Sequence, residues 1–330
     1  MKKIAINGFG RIGRQAFKVA LTKDNVEVVA INDLTDAKTL AHLLKYDSAY
    51  GQYNKKVEYD ETNIIVDGQK FPVLAVKDPA ELPWGEMGVN TVLECTGRFR
   101  SVEDASKHLT AGAKRVILSA PGKGTDIPTY VRGINCDNVG GEEKNIINNA
   151  SCTTNCISPV MKVMTEKFGV EKAMMSTVHG YTSDQNLQDG PHKDLRRARV
   201  AAVNIVPTTT GAATATTQVI PEIAGVFDGL AIRVPVPTVS LTDITLLLKK
   251  SVTKEEINQA LKEASETSLQ GILAVTDEEL VSSDFVGSSY SSIVDTKLTN
   301  VVGGNLVKII AWYDNEVGYS HRLVELAIKY

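Results

Sequence analysis

The sequence predicts an α/β fold with a doubly wound parallel sheet in its N-terminal part, followed by an α+β region built on a mixed or antiparallel sheet. Three observations predict it. Over about the first 150 residues, short β-branched runs alternate with longer amphipathic segments, the pattern of strand–helix–strand units. Several of those runs are apolar on both faces, as strands covered by helices on two sides are. Beyond them the runs lengthen and partly alternate, as strands with one covered face do.

The elements follow in order. "KKIAING" (2–8) reads as a strand and "RIGRQAFKVALTKD" (11–24) as a helix with Ile12, Ala16, Val19 and Ala20 on one stripe. "VEVVAIND" (26–33), "VNTVLECTG" (89–97), "RVILSAPG" (115–122) and "NIINNA" (145–150) are further strands. "ASCTTNCISPVMKVMTEKFG" (150–169) reads as a helix, which Pro159 either kinks or delays by a turn. "EKAMMSTVHGYT" (171–182), "LAIRVPVPTVSLTDITLLLKK" (230–250) and "VKIIAWYD" (307–314) supply the second sheet. "EVGYSHRLVELAIKY" (316–330) is a helix expected to return to the first domain. A chain of 330 residues exceeds what one core usually organises. The expected division is 1–150 with 316–330, and 151–315 between them.

Composition excludes several classes. A hydrophobic fraction of 43% and a charged fraction of 23% are those of a soluble globular protein. A net charge of -3 gives no general attraction to nucleic acid or anionic membrane, although "HKDLRRAR" (192–199) is locally basic. No apolar run is long enough to span a bilayer, and Asn7 and Gly8 interrupt the first one too early for a secretory signal. Four cysteines do not make a disulfide framework in a chain of this length, so reduced thiols in the cytoplasm are expected.

"GFGRIG" sets Gly8, Gly10 and Gly13 in G-x-G-x-x-G spacing between a strand and a helix. The first glycine suits a tight turn, the second a close approach to pyrophosphate, and the third helix–strand packing. Asp33 follows Gly13 by 20 residues at the end of the next strand, where an acid binds the hydroxyls of an adenosine ribose. The motif in this context is a dinucleotide site, and the first domain is Rossmann-type.

Cys152 and Cys156 stand four apart in "ASCTTNCISP". No second cysteine pair lies at zinc-site spacing, so no metal is expected. Cys156, Cys95 and Cys136 read as small buried hydrophobes. Cys152 fits that reading less well, because Ser151, Thr153, Thr154 and Asn155 surround it. A thiol in the first turn of a helix sits near unpaired N–H groups and the positive end of the dipole, and both favour thiolate. Of the five histidines, His179 ends the strand "MMSTVHG" before the loop "YTSDQN", a rigid support for a base. His42, His108 and His321 fall in helical patterns, and His192 sits among charges.

"GFGRIG…ND", "ASCTTN", "STVHGYT", "PHKDLRRAR", "PTTTGAA", "RVPVPTVS" and "WYDNEVGYSHR", in that order, closely resemble glyceraldehyde-3-phosphate dehydrogenase from the first residues to the last. The resemblance implies Cys152 as nucleophile and His179 as its base, in an NAD-dependent, phosphorylating oxidation of an aldehyde. It implies Thr182 and Arg233 on the substrate phosphate, and Ser151, Thr153, Thr210 and Gly211 around the attacking phosphate with Arg197 in support. For NAD it adds Arg11 and Ile12 at the phosphate turn, Ser119 on the nicotinamide side and Asn315 on the carboxamide. Lys77 stands where the family often has arginine near the adenine. "NLQDGPHKD" (186–194) departs from the common form by Gly190 before Pro191, in a loop that the resemblance sets beside a neighbouring subunit's cofactor. A homotetramer is implied, with glyceraldehyde 3-phosphate and inorganic phosphate as small-molecule partners. A relative oxidising erythrose 4-phosphate, or a non-catalytic RNA- or surface-binding role on the same fold, are the alternatives.

Overall fold

The computed structural model describes residues 1–124, 126–136 and 144–330. Its first half runs β1 (Lys2–Asn7), α1 (Arg11–Ala20), β2 (Val26–Asn32), α2 (Ala37–Lys45), β3 (Tyr46–Asp47), β4 (Gly51–Gln52), β5 (Val57–Tyr59), β6 (Asn63–Val66), β7 (Gln69–Leu74), β8 (Thr91–Glu94), α3 (Val102–Thr110), β9 (Arg115–Leu118) and β10 (Ile146–Asn148). Then follow α4 (Cys152–Phe168), β11 (Val170–Gly180), β12 (Val206–Thr208), α5 (Ala212–Val219), β13 (Phe227–Val234), β14 (Ser240–Leu248), α6 (Lys254–Glu266), β15 (Leu273–Thr276), β16 (Ser292–Asp295), β17 (Asn300–Val302), β18 (Leu306–Tyr313) and α7 (Val317–Lys329).

Contacts divide the chain into two compact units: Met1–Tyr130, Asn138–Ala150 and Ser320–Tyr330 in one, and Val131–Asp137 with Ser151–Tyr319 in the other. The second unit thus takes a short piece of the expected first domain. Gly133 explains it, because its carbonyl accepts a hydrogen bond from Lys162 Nζ at 3.0 Å and its backbone lies against Leu269 and Ile272.

The first unit carries one sheet in the order β10-β9-β8-β1-β2-β7-β6-β5. Neighbours from β10 to β7 run parallel, while β6 pairs antiparallel with β7 and with β5. The expected parallel strands are all present. The antiparallel extension over residues 57–74 is new, because short strands with mixed polarity carry little period-two signal. In α1 the predicted stripe is buried at Ala16, Val19 and Ala20, and Phe17 joins it, edge-on to Phe9 and Phe71 at 5.4 and 4.8 Å. Side-chain caps start α2 and α3, with Asp36 accepting from the Thr39 N–H and Ser101 from the Asp104 N–H.

The second unit carries a mixed sheet in the order β12-β13-β11-β14-β18-β16-β15, with β17 on β18. β11 is central, parallel to β13 and antiparallel to β14. The single run read over 230–250 is two strands, β13 and β14, separated by the segment that holds Pro235 and Pro237. α4 is continuous from Cys152 and contains Pro159, so the proline does not delay its start. Ser151 caps it by accepting the Thr154 N–H at 3.0 Å, and the Ser158 hydroxyl donates to the Thr154 carbonyl at 2.7 Å. Among the described residues no helix is long and apolar enough to cross a membrane.

The glycines of the first turn separate by what surrounds them. A Cβ on Gly13 would lie 2.1 Å from the Gly8 carbonyl oxygen, whereas one on Gly10 would meet nothing within 4 Å. Gly13→Ala is therefore expected to lower the thermal midpoint clearly, and Gly10→Ala to leave stability within about 0.5 kcal/mol. Equal midpoints by scanning calorimetry would remove this packing role from Gly13.

Candidate active site

In the first unit the strand order reverses between β1 and β8, and their C-terminal ends border a cavity of about 930 Å³. Open parallel sheets bind ligands at such reversals. Gly8, Gly10, Asp33 and Lys77 line it, as does an apolar strip of Leu34, Val76 and Phe99. Gly8 has φ 93, and a Cβ there would strike Thr96 N at 2.7 Å, so the turn requires glycine. Gly10 caps α1 without a side chain, leaving open space in front of the helix start, where a phosphate is favoured. Asp33 is half-buried. Its Oδ2 accepts the Phe9 N–H at 2.8 Å and its Oδ1 the Thr35 N–H at 3.0 Å. Each oxygen keeps acceptor capacity for a ribose hydroxyl. These residues fit a dinucleotide.

The remaining predicted cofactor residues are spread. The Arg11 guanidinium pairs with Asp47 at 2.8 Å and lies over the Tyr50 ring, while its backbone and that of Ile12 form the first turn of α1. Ser119 follows β9, with its N–H on the Glu94 carbonyl. Asn315 belongs to the second unit, where its Oδ1 accepts from the Ser240 hydroxyl at 3.5 Å.

In the second unit Cys152, the first residue of α4, and His179, near the end of β11, meet with Sγ 3.4 Å from Nε2. His179 Nδ1 donates to the Gly180 carbonyl at 2.6 Å, which turns the Nε2 lone pair toward the sulfur. Burial raises the Cys152 thiol above its usual range, opposed by the Arg233 charge and by hydrogen bonds from Thr153. Burial, and then Arg233, push His179 down to about 4. Nε2 is thus placed to take the Cys152 proton. Desolvation favours leaving it on sulfur, against the expectation that the helix start alone yields thiolate; the Thr153 donors assist the sulfur once the proton moves to Nε2. Cys156, one turn on, is fully buried against Ser292 and Thr242, and burial pushes its thiol up to about 12.

Arg233 acts on this pair, and Arg197 is joined to it through Asp184. Arg233 Nη1 donates to the Thr182 hydroxyl at 2.6 Å, and its Nε is buried without a hydrogen-bond partner, as is Nε2 of neighbouring Gln185. Orphaned buried donors beside a cation suit an anion. Arg197 is held by the Thr208 hydroxyl at 2.9 Å and the Thr209 carbonyl at 3.1 Å. The Asp184 carboxylate accepts from the Thr182 hydroxyl and from Arg197, and lies 3.8 Å from Arg233. Thr210 Oγ1 accepts the Ala212 N–H at the start of α5, and Gly211 beside it faces open space. Ser151 Oγ serves as the cap of α4. Thr153 points inward instead, 4% exposed, with its hydroxyl 2.9 Å from Tyr313 Oη.

Sequence reasoning missed Tyr313, Asp184 and Gln185. The last two lie in the loop directly after His179, and that proximity was the only signal. Tyr313 sits in an apolar run with nothing to mark its hydroxyl. Among the described residues no group of three or more His, Cys, Asp or Glu could hold a metal ion.

The depressed imidazole predicts an acid limb. Unfolded histidine binds its proton near 6.5 and folded His179 near 4, so between these values the unfolded state holds more protons and stability rises with pH. Stability is therefore expected to fall as pH drops from 6.5 to 4, with His321, also lowered to about 4 by burial, adding to the slope. His179→Asn should make that slope shallower. Urea midpoints at pH 7, 6 and 5 test this, and identical slopes would contradict the depressed histidine.

Comparison with known proteins supplies the context of both sites. Residues 2–102 match the family model for the glyceraldehyde 3-phosphate dehydrogenase NAD binding domain, and residues 151–315 that for the C-terminal domain. The chain is 55% identical over 325 residues to glyceraldehyde-3-phosphate dehydrogenase of Geobacillus stearothermophilus, covering 98% of this chain and 97% of the relative. It is 56% identical to that of Priestia megaterium with the same coverage, and 54% identical to glyceraldehyde-3-phosphate dehydrogenase 1 of Bacillus subtilis, again over 98% and 97%. With a family model on each half and full-length relatives, this chain belongs to the glyceraldehyde-3-phosphate dehydrogenase family, and its cofactor is NAD.

Proposed function

We infer that the chain oxidises D-glyceraldehyde 3-phosphate, with NAD and inorganic phosphate, to 1,3-bisphosphoglycerate in glycolysis. The observation that carries the reading is the contact of half-buried Cys152 with buried His179 at 3.4 Å, set beside Arg233. Cys152 Sγ attacks the aldehyde carbon as its proton passes to His179 Nε2. That proton neutralises the new oxyanion, giving a hemithioacetal hydroxyl that hydrogen-bonds to Nε2. NAD bound in the cavity of the first unit would supply the hydride acceptor. His179 Nε2 takes the hydroxyl proton as the carbon is oxidised, which leaves a thioester on Cys152 Sγ. A phosphate oxygen then attacks the thioester carbonyl, and the thiolate leaves to recover its proton from His179.

Two anions have to be held. We assign the substrate phosphate to Arg233 and Thr182, supported by the orphaned Arg233 Nε. The attacking phosphate is assigned to Thr210, Gly211 and Ser151, with Arg197 in support. Open space at Gly211 before α5 supports this. The inward Thr153 hydroxyl fits a role on the sulfur better than on a phosphate. Gly8, Gly10, Arg11 and Ile12 are assigned to the pyrophosphate, with Gly13 letting the helix pack closely behind them, Asp33 to the adenosine ribose, Lys77 to the adenine side, and Ser119 and Asn315 to the nicotinamide side.

A homotetramer in the cytoplasm completes the reading. Four cysteines, too few for a disulfide framework in a chain of this length, support the compartment. Exposed apolar side chains support self-association: Met174 (67%) and Leu230 (42%) on adjacent strands of one sheet, and Leu195, Val203 and Ile205 on the segment after His179.

NADH formation from glyceraldehyde 3-phosphate, measured with and without phosphate, tests the reaction. Multiple turnovers are expected only with phosphate, none in Cys152→Ser, and about 10²–10⁴ slower thioester formation in His179→Asn. Faster turnover of erythrose 4-phosphate would reassign the substrate. For the cofactor, the Asp33 charge should repel a 2′-phosphate, and Leu34 beside it offers no compensating cation. A preference for NAD over NADP of at least about a hundredfold in kcat/KM is expected, relaxed in Asp33→Gly. Equal efficiencies in the native chain would remove discrimination from Asp33.

A further inference from the structure

We propose that Glu94 is a positioning residue for NAD, orienting through a buried hydrogen-bond chain the strand ends that frame the dinucleotide cavity. The proposal rests on the reading that this cavity holds NAD.

Glu94 ends β8 and is 1% exposed. Four donors converge on its carboxylate. Oε2 accepts from Asn7 Nδ2 at 2.5 Å and His108 Nε2 at 3.1 Å, and Oε1 from the Thr96 N–H at 2.8 Å and the Thr96 hydroxyl. The histidine is oriented from behind. Trp84 Nε1 reaches His108 Nδ1 at 3.0 Å, and because an indole N–H can only donate, Nδ1 accepts and the hydrogen of the ring lies on Nε2.

The acceptor-only carboxylate then dictates the polarity of everything beyond it. With its nitrogen committed to Glu94, Asn7 presents Oδ1 to Asn32 Nδ2 at 2.7 Å. Asn32 in turn donates to the Val76 carbonyl and accepts the Val76 N–H, each at 3.0 Å. The chain thus ties the ends of β8, β1 and β2 to the segment after β7. Asn7, Asn32, Val76 and Thr96 all line the cavity. Thr96 N is also the atom that a Cβ on Gly8 would strike, so holding Thr96 holds the glycine turn.

Glutamine at this position has nearly the same shape but the wrong polarity. Its amide N–H₂ would face the donors of Asn7 and His108, or the Thr96 N–H, where only the Thr96 hydroxyl, already accepting the Arg98 N–H, could turn to accept. One unmatched buried donor corresponds to about a tenfold loss in an equilibrium constant.

The test uses the full chain with Glu94→Gln, His108→Gln, His108→Leu, Asn32→Ala and, as a control for the cavity, Asp33→Ala. Calorimetry gives Kd for NAD, steady-state kinetics separate KM from kcat, and amide exchange is followed at Phe9 and Thr96 in the NAD-free protein. Glu94→Gln is expected to raise Kd and KM for NAD about tenfold, leave kcat at saturating NAD within about threefold, and speed both amides. His108→Gln keeps a donor near the carboxylate and should weaken NAD binding less than His108→Leu. Unchanged Kd in a folded Glu94→Gln protein, with Asp33→Ala weakened, overturns the proposal alone. Unchanged Kd in Asp33→Ala overturns the cavity reading beneath it. Should Glu94→Gln fail to fold, native affinity in Asn32→Ala overturns the proposal by itself.

Discussion

One hydroxyl indexes the reactive pair. Tyr313 lies on β18, 1% exposed, and its Oη is 2.9 Å from the Thr153 hydroxyl and 2.8 Å from the Thr177 hydroxyl. Thr153 follows Cys152 on α4, and Thr177 shares a face of β11 with His179, two residues along. A helix start and a strand end are thus tied to one fixed point, and the 3.4 Å sulfur–nitrogen contact depends on that registry. The ring itself packs edge-on to His179, with centroids 6.0 Å apart. Backbone strain gathers nearby: Ala150, just before the cap of α4, has φ 54, and Val239 has φ 69, unfavourable for a β-branched residue. Val239 is held in a buried cluster with Phe285, Ile293 and Trp312, and Ser240 beyond it accepts the Gly180 N–H.

The two arginines proposed to bind phosphate are held in place by the fold itself. Asp184 bridges Thr182 and Arg197 and sits near Arg233, so one carboxylate fixes both cations relative to each other. Asp194 secures the other side, accepting the Thr208 hydroxyl at 2.6 Å within 3.5 Å of Arg197 Nε. Such preorganisation limits the side-chain entropy lost when a ligand is bound.

How much of this was legible in the sequence depended on whether local pattern or tertiary contact decides a position. The parallel strands and the Gly8–Gly10–Gly13 turn were readable, because burial on two faces and the steric needs of a glycine turn act locally. Cys152 and His179 were readable from chain context, as a polar helix start and a strand end before a loop. Their proton balance was not. It depends on desolvation by residues distant in sequence, which opposes the effect of the helix start. Tyr313 and Glu94 were invisible for the same reason, since each looks like part of an ordinary strand until its partners converge. Pro159 left two readings open, a kink or a delayed start, and the delay is excluded because α4 begins at Cys152 and contains it, with the preceding turn braced by the Ser158 side-chain bond.

The antiparallel extension at one side of the first sheet bears on solubility. A parallel sheet ending at β7 would expose a row of unpaired backbone groups to any passing strand. β6 and β5 cover that row, and the new border, Val57–Tyr59, is only three residues long, with Lys55, Lys56 and Glu58 about it. On the opposite side β10 is closed over by its own chain: Thr129 bridges to Asn148, whose N–H and carbonyl pair with Pro128 and Tyr130. Short, charged or covered borders are what keep sheets from adding strands end on end between molecules. Both borders of the first sheet are thus poor templates for a strand from another molecule.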